Sequence, residues 1–128
     1  MSRFVLDRYK LGRFKISSND TWEDLEDSIF DVGAGPVDTV YVITSAYLLG
    51  QYLGSSGGIE VQGHAPRSLM KVDVDIRGNP WVLDIYGNIY QSMGEVNVWR
   101  QYPWYKAKDI GASDTGAVWI LNTYGQAV

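Results

Sequence analysis

The chain has 128 residues, a net charge of −4, one histidine and no cysteine. That length suits one domain with a sizeable core, and the missing thiols exclude a disulfide framework or a thiolate metal site. Without a basic run nucleic acid is not an expected partner, and no apolar window approaches the length of a membrane-spanning helix.

The composition holds five Trp, nine Tyr and three Phe beside 14 Gly. Tyr, Val and Ile fit the pleated surface of a strand, and Gly, Asn, Asp and Ser recur as turn punctuation. The opening MSRFVLDRYK carries Arg3, Asp7, Arg8 and Lys10 and has no apolar stretch of signal-peptide length, so a cytosolic or virion-associated protein is expected.

From Phe4 onward one short pattern occurs four times: an aromatic, two aliphatics and a polar residue. It reads Phe4-Val5-Leu6-Asp7, Tyr41-Val42-Ile43-Thr44, Trp81-Val82-Leu83-Asp84 and Trp119-Ile120-Leu121-Asn122, with the aromatics 37, 40 and 38 residues apart. A tyrosine follows at Tyr9, Tyr86 and Tyr124, and Tyr47 reads as the same marker displaced by one place. Gly87 and Gly125 then supply a turn.

Further along, Trp22 and Trp99 stand 77 residues apart, two periods, and the intermediate copy falls near Glu60-Val61 without its tryptophan. The stretch TWEDLEDSIF, from Thr21, carries the chain's one hint of helical periodicity. Its slot is non-helical in the other repeats, so a loop is expected there. A third marker is Asp31-Val32-Gly33 and Asp109-Ile110-Gly111. In the middle repeat it reads as Asp73-Val74-Asp75-Ile76, with a loop about two residues shorter. Three markers on one period define repeats 4–40, 41–80 and 81–118 and a partial repeat 119–128 within one domain. Segments such as MKVDVDI, PWVLDIY, GNIYQSM and VNVWRQY give each repeat three or four short strands. A four-stranded unit recurring about every 40 residues describes a propeller blade, so the predicted fold is all-β, a β-propeller of about three blades.

On these residues the chain resembles the tectonin family of β-propellers. Its best copy runs Trp99 … Asp109-Ile110-Gly111-Ala112-Ser113-Asp114-Thr115-Gly116-Ala117-Val118-Trp119 … Gly125. A weaker copy runs Trp22 … Asp31-Val32-Gly33-Ala34-Gly35 … Val40-Tyr41, and the middle repeat keeps Asp73, Gly78, Trp81 and Gly87. The resemblance implies a propeller, often six-bladed, and often a lectin for glycans or lipopolysaccharide; some members are scaffolds.

A closed propeller takes typically four to eight blades. Three blades with partial ends therefore predict a homodimer of six blades, against a solenoid-like monomer. The acidic EDLED after Trp22 and the basic RQYPWYKAK after Trp99 are candidate complementary patches.

No catalytic constellation can be assembled around the lone His64, so no enzyme activity, metal or cofactor is expected. Asp73, Asp75 and Asp84 brush against a calcium-loop pattern, but Arg77 stands where an oxygen donor is needed, and a turn is expected. The aromatics without a repeat counterpart are Tyr102, Trp104 and Tyr105, beside Arg100. Exposed rings stack on sugars and guanidinium groups bond hydroxyls or carboxylates, so Arg100, Tyr102, Trp104 and Tyr105 form the candidate ligand site, or else a subunit seam. Two functions follow: a carbohydrate-binding module, or a structural and docking protein of a larger assembly such as a virus or phage particle. Expected partners are a second copy of the chain, glycans and other assembly proteins.

Overall fold

The computed structural model describes residues 2–6, 11–16, 21–36, 39–54, 58–95, 98–112, 116–122, 124 and 126–127, with side chains described from residue 29 onward. The markers Tyr9 and Gly125 lie outside the described residues. Among the described residues twelve strands are present: β1 (Ser2–Leu6), β2 (Leu11–Ile16), β3 (Thr21–Ala34), β4 (Val40–Thr44), β5 (Leu49–Tyr52), β6 (Ile59–Val61), β7 (Leu69–Val74), β8 (Pro80–Asp84), β9 (Ile89–Ser92), β10 (Trp99–Gln101), β11 (Ala107–Ala112) and β12 (Val118–Asn122). They form three antiparallel sheets, in the orders β1-β2-β3-β4-β5-β6, β10-β9-β8-β7 and β11-β12.

The register exposes the repeat directly. In the pairs β3–β4, β7–β8 and β11–β12 a bulge falls at the same point, between Ile29 and Asp31, Leu69 and Lys71, and Ala107 and Asp109. Tyr41, Trp81 and Trp119 then sit opposite Gly33, Asp73 and Gly111. The four-residue aromatic pattern thus marks the second strand of each unit. Unit one runs from the C-terminal half of β3 to β6, unit two from β7 to β10, and unit three comprises β11 and β12. Ahead of them β1 pairs with β2, and β2 with the N-terminal half of β3.

Three expectations change here. TWEDLEDSIF is strand: β3 continues for 14 residues, pairing first with β2 and then with β4. This stretch is one residue shorter than its counterpart from Trp99 to Asp109 and has no Pro or Gly to turn it, unlike Pro103 there. The chain therefore runs from one ladder into the next without a turn, with a register shift between Asp24 and Ser28. Second, Lys71, not Asp73, fills the place of Asp31 and Asp109, and the following hairpin is not shortened: Ala34 to Val40, Val74 to Pro80 and Ala112 to Val118 span equal lengths. Third, Tyr47 is not a displaced tyrosine marker. It takes the slot of Gly87, with φ of 63° against 84°, and its ring meets Phe30 at 4.9 Å.

Alternation along each second strand places the core. Successive residues point to opposite faces, yet Val42 and Ile43 are both fully buried, as are Val82 and Leu83, so the sheets of units one and two are covered on both sides. Val42 packs with Ile29 on one side. Ile43 meets Val82, Leu49 and Leu69 between units one and two. Leu83 meets Ile89, Ala107 and Ile110 between units two and three. Each such side chain contributes roughly 1.5–3 kcal/mol.

Carboxylates stitch the first strands of successive units together. Val72 N donates to Asp31 Oδ2 at 3.0 Å and Ala112 N to Asp73 Oδ2 at 2.6 Å. Asp73 stands two residues beyond the Asp31 slot, and two residues is one strand period. The carboxylate therefore keeps the same face and bonds a backbone N–H two residues further along.

Candidate binding site

The segment after β10 is built on a stack. Arg100 pairs with Gln91 in the ladder, and Tyr102 N donates to Ile89 O at 3.0 Å. The Tyr102 ring lies on Trp81, with centroids 5.5 Å apart and planes 19° from parallel. Its hydroxyl donates to Gln91 Oε1 at 2.6 Å. The Arg100 guanidinium carbon sits 4.8 Å from the Tyr102 ring centre. A tight turn, closed by Tyr105 N on Tyr102 O at 3.4 Å, projects the next residues outward.

The four sequence-predicted residues are thus neighbours with different surroundings. Tyr102 is half-buried against the core formed by Leu83, Ile89, Ala107 and Ile110. Arg100 is exposed, while Trp104 is 83% and Tyr105 51% exposed. Lys106 Nζ donates to Asn88 Oδ1, tying the end of the loop to the β8–β9 turn.

Unit one has the same turn with different side chains. Gln62 N donates to Leu49 O at 2.8 Å and Ala65 N to Gln62 O at 3.1 Å. Gln62, His64 and Ala65 therefore stand where Tyr102, Trp104 and Tyr105 stand in unit two. A cavity of about 280 Å³ opens here between units one and two, with Tyr41, Gln51, Gln62 and His64 on one wall and Glu95 and Trp99 on the other. Burial pushes the Tyr41 hydroxyl above its ordinary range. Sequence reasoning did not reach this cavity because the Trp99 marker is replaced by Ile59 in unit one. The usable signal was the constant interval from each second strand to the turn: Tyr41 to Gln62 and Trp81 to Tyr102 are both 21 residues.

Of the three carboxylates in the calcium-like pattern, Asp73 accepts from Ala112 N of the next unit, and the other two cap their own turns. Asp75 Oδ1 accepts from Arg77 N at 2.9 Å and Asn79 N at 3.0 Å, and its Oδ2 accepts from Trp81 Nε1 at 3.1 Å. Asp84 does likewise for Tyr86 N and Asn88 N. Burial, then the charge of Asp84 and a hydrogen bond to it, push the Tyr90 hydroxyl upward. Among the described residues no group of three or more His, Asp or Glu converges as a metal site, and no helix is long and apolar enough to cross a membrane.

No family model matches the chain, and no curated protein does. Among solved structures it resembles "YCF48 bound to D1 peptide", with a TM-score of 0.66 and 13% identity, over 92% of this chain and 45% of that one. It therefore spans less than half of that neighbour's length. At this identity the likeness is one of fold, and it agrees with the repeated register: the chain has an all-β, β-propeller-like architecture.

Proposed function

We propose that the chain is a non-catalytic binding module of the tectonin type, a carbohydrate-recognising propeller that reaches six blades by joining a second copy. The observation that carries the recognition role is the platform after β10. Trp104 and Tyr105 are presented to solvent beside Arg100 on a base that Tyr102 and Trp81 hold rigid. Rigid rings give a large contact area at low entropic cost, and the guanidinium adds directed hydrogen bonds to hydroxyl or carboxylate groups. Repeated weak sites around a ring would gain strength through multivalency.

Assembly is supported by the outer face of unit three. Leu121 occupies the slot of Ile43 and Leu83, and Trp119 that of Tyr41 and Trp81. The next unit covers those slots in units one and two, whereas Trp119 is 57% and Leu121 38% exposed.

The second reading is a docking protein of a larger assembly, such as a virus or phage particle. It is favoured by the fold neighbour, which is bound to a peptide. A glycan array read in parallel with a peptide array separates the two. Glycan signal lost on Trp104→Ala and Tyr105→Ala supports the first reading. Peptide signal with a silent glycan array replaces it with the second.

A further inference from the structure

The grooves on either side of unit two share one frame. In each, an aromatic residue of the second strand pairs in register with a glutamine of the third: Tyr41 with Gln51, and Trp81 with Gln91. In the groove towards unit three that frame is occupied by the chain itself. The Tyr102 ring lies flat on Trp81, and its hydroxyl bonds the Gln91 amide oxygen. Towards unit two, the residue in the place of Tyr102 is Gln62, whose Nε2 turns away to Glu60 O at 3.0 Å. Tyr105 is likewise replaced by Ala65, and the cavity of about 280 Å³ stands where the rings would be.

We propose that the groove between units one and two binds a neutral pyranose ring on Tyr41 and Gln51, in the manner of the Tyr102 phenol on Trp81 and Gln91. This rests on the carbohydrate reading above and adds a second site, in the groove, to the 100–105 platform. The internal tyrosine shows what the frame accepts: a flat six-membered ring with a hydroxyl directed at the glutamine. The volume lies just under the roughly 300–1,000 Å³ of drug-sized ligand pockets, which suits one ring and its substituents. A sugar suits the walls better than a partner's tyrosine side chain. Gln51, Gln62, His64 and Glu95 offer more donors and acceptors than one phenol hydroxyl can engage, and polar groups left unpaired on binding cost affinity. Tyr41 and Trp99 supply apolar surface for the ring's C–H face. Charge sets the class: Glu95 lines the cavity and, among the described residues, no Lys or Arg does. An anionic sugar is disfavoured by like-charge juxtaposition.

The test is a set of NMR titrations of the full chain. The probes are methyl glucoside, methyl galactoside and methyl N-acetylglucosaminide, with glucuronate as the anionic sugar and N-acetyltyrosinamide as the phenol. At least one neutral pyranoside is expected to shift the amides of 62–65 and the Trp99 indole, with glucuronate weaker. Gln62→Tyr, which rebuilds the internal occupant, and Gln51→Ala, which removes the hydrogen-bonding amide without adding bulk, should each weaken binding about tenfold or more, equivalent to one good hydrogen bond. Tyr124→Ala, at an exposed ring that lines neither the groove nor the 100–105 platform, should leave binding unchanged. Should Gln62→Tyr fail to fold by circular dichroism, Gln51→Ala carries the comparison. Binding that survives both groove variants and is lost with Trp104→Ala overturns the groove site and leaves the carbohydrate reading standing. Shifts at 62–65 with N-acetyltyrosinamide but no pyranoside overturn it in favour of a peptide ligand. No pyranoside bound anywhere removes both.

Discussion

Thr44, Asp84 and Asn122 close the second strand of the three units, and each side-chain oxygen accepts from the backbone N–H groups two and four residues on, at 2.8–3.3 Å. That shared task explains why the aromatic-aliphatic-aliphatic pattern ends on a polar residue in these three copies. Because a hydroxyl, a carboxylate and an amide all serve the turn, Asp84→Asn keeps the two backbone bonds but places an NH2 where Oδ2 accepts from Asn88 Nδ2 and Tyr90 Oη, and should cost roughly 1–2 kcal/mol. Asp84→Ala loses the two backbone bonds as well and should cost roughly 2–3 kcal/mol; urea melts of both variants measure the difference. Asp31 behaves otherwise. Burial holds its pKa above the ordinary 3.8, outweighing the Val72 N–H and Lys71, which pull it down. The folded protein thus binds this proton more tightly than the unfolded chain. Its contribution is fully present below about 3.8 and is lost as pH rises through the raised value. Asp31→Asn, which keeps an acceptor for Val72 N, should flatten the fall in stability over that window. Urea midpoints measured across pH check this, and an unchanged slope would count against it.

At the scale of elements, the first strands β3, β7 and β11 determine how closely the units pack. A Cβ on Gly33 would lie 2.9 Å from the Asp73 Cα and 3.0 Å from Val72 O, whereas a Cβ on Gly111 meets nothing nearer than Asp73 Oδ2 at 4.0 Å. Gly33→Ala should therefore destabilise by roughly 1–3 kcal/mol, the usual cost of overpacking, and Gly111→Ala should be close to neutral; paired thermal melts decide. These strands also show why the middle repeat was misaligned from sequence. An acidic residue is needed on the face towards the next unit, and stepping it by one strand period, from the Asp31 slot to Asp73, satisfies that need with another backbone partner. Spacing alone aligned acid with acid, whereas the bulge before Asp31, Lys71 and Asp109 aligns backbone with backbone. A bulge is a property of pairing between two strands and has no fixed residue type to reveal it.

For the whole molecule, both faces of units one and two are covered, while the outer face of unit three presents Trp119 and Leu121. Exposed apolar surface on a stackable sheet favours association. Light scattering should therefore give a mass of two chains for the unmodified protein. Trp119→Lys, which places a charge on that face, should reduce it to one. A mass of one chain for the unmodified protein would remove the six-blade ring while leaving the recognition surfaces intact.

The sequence by itself determined the all-β class, the period near 39 residues and the identity of the second strands, because a strand covered on both faces must be apolar at consecutive positions, as in Val42-Ile43 and Val82-Leu83. It also drew attention to Arg100, Tyr102, Trp104 and Tyr105 as neighbours in the chain. Only the tertiary structure decided that Tyr102 lies on Trp81 while Trp104 stands free, that β3 runs unbroken through TWEDLEDSIF, and that Gln62 leaves open the place Tyr102 fills. Those outcomes depend on pairing and packing between strands, from the β2–β3–β4 ladders to the stack of Tyr102 on Trp81. Local side-chain pattern reports which face of a strand is buried, but not which neighbour covers it.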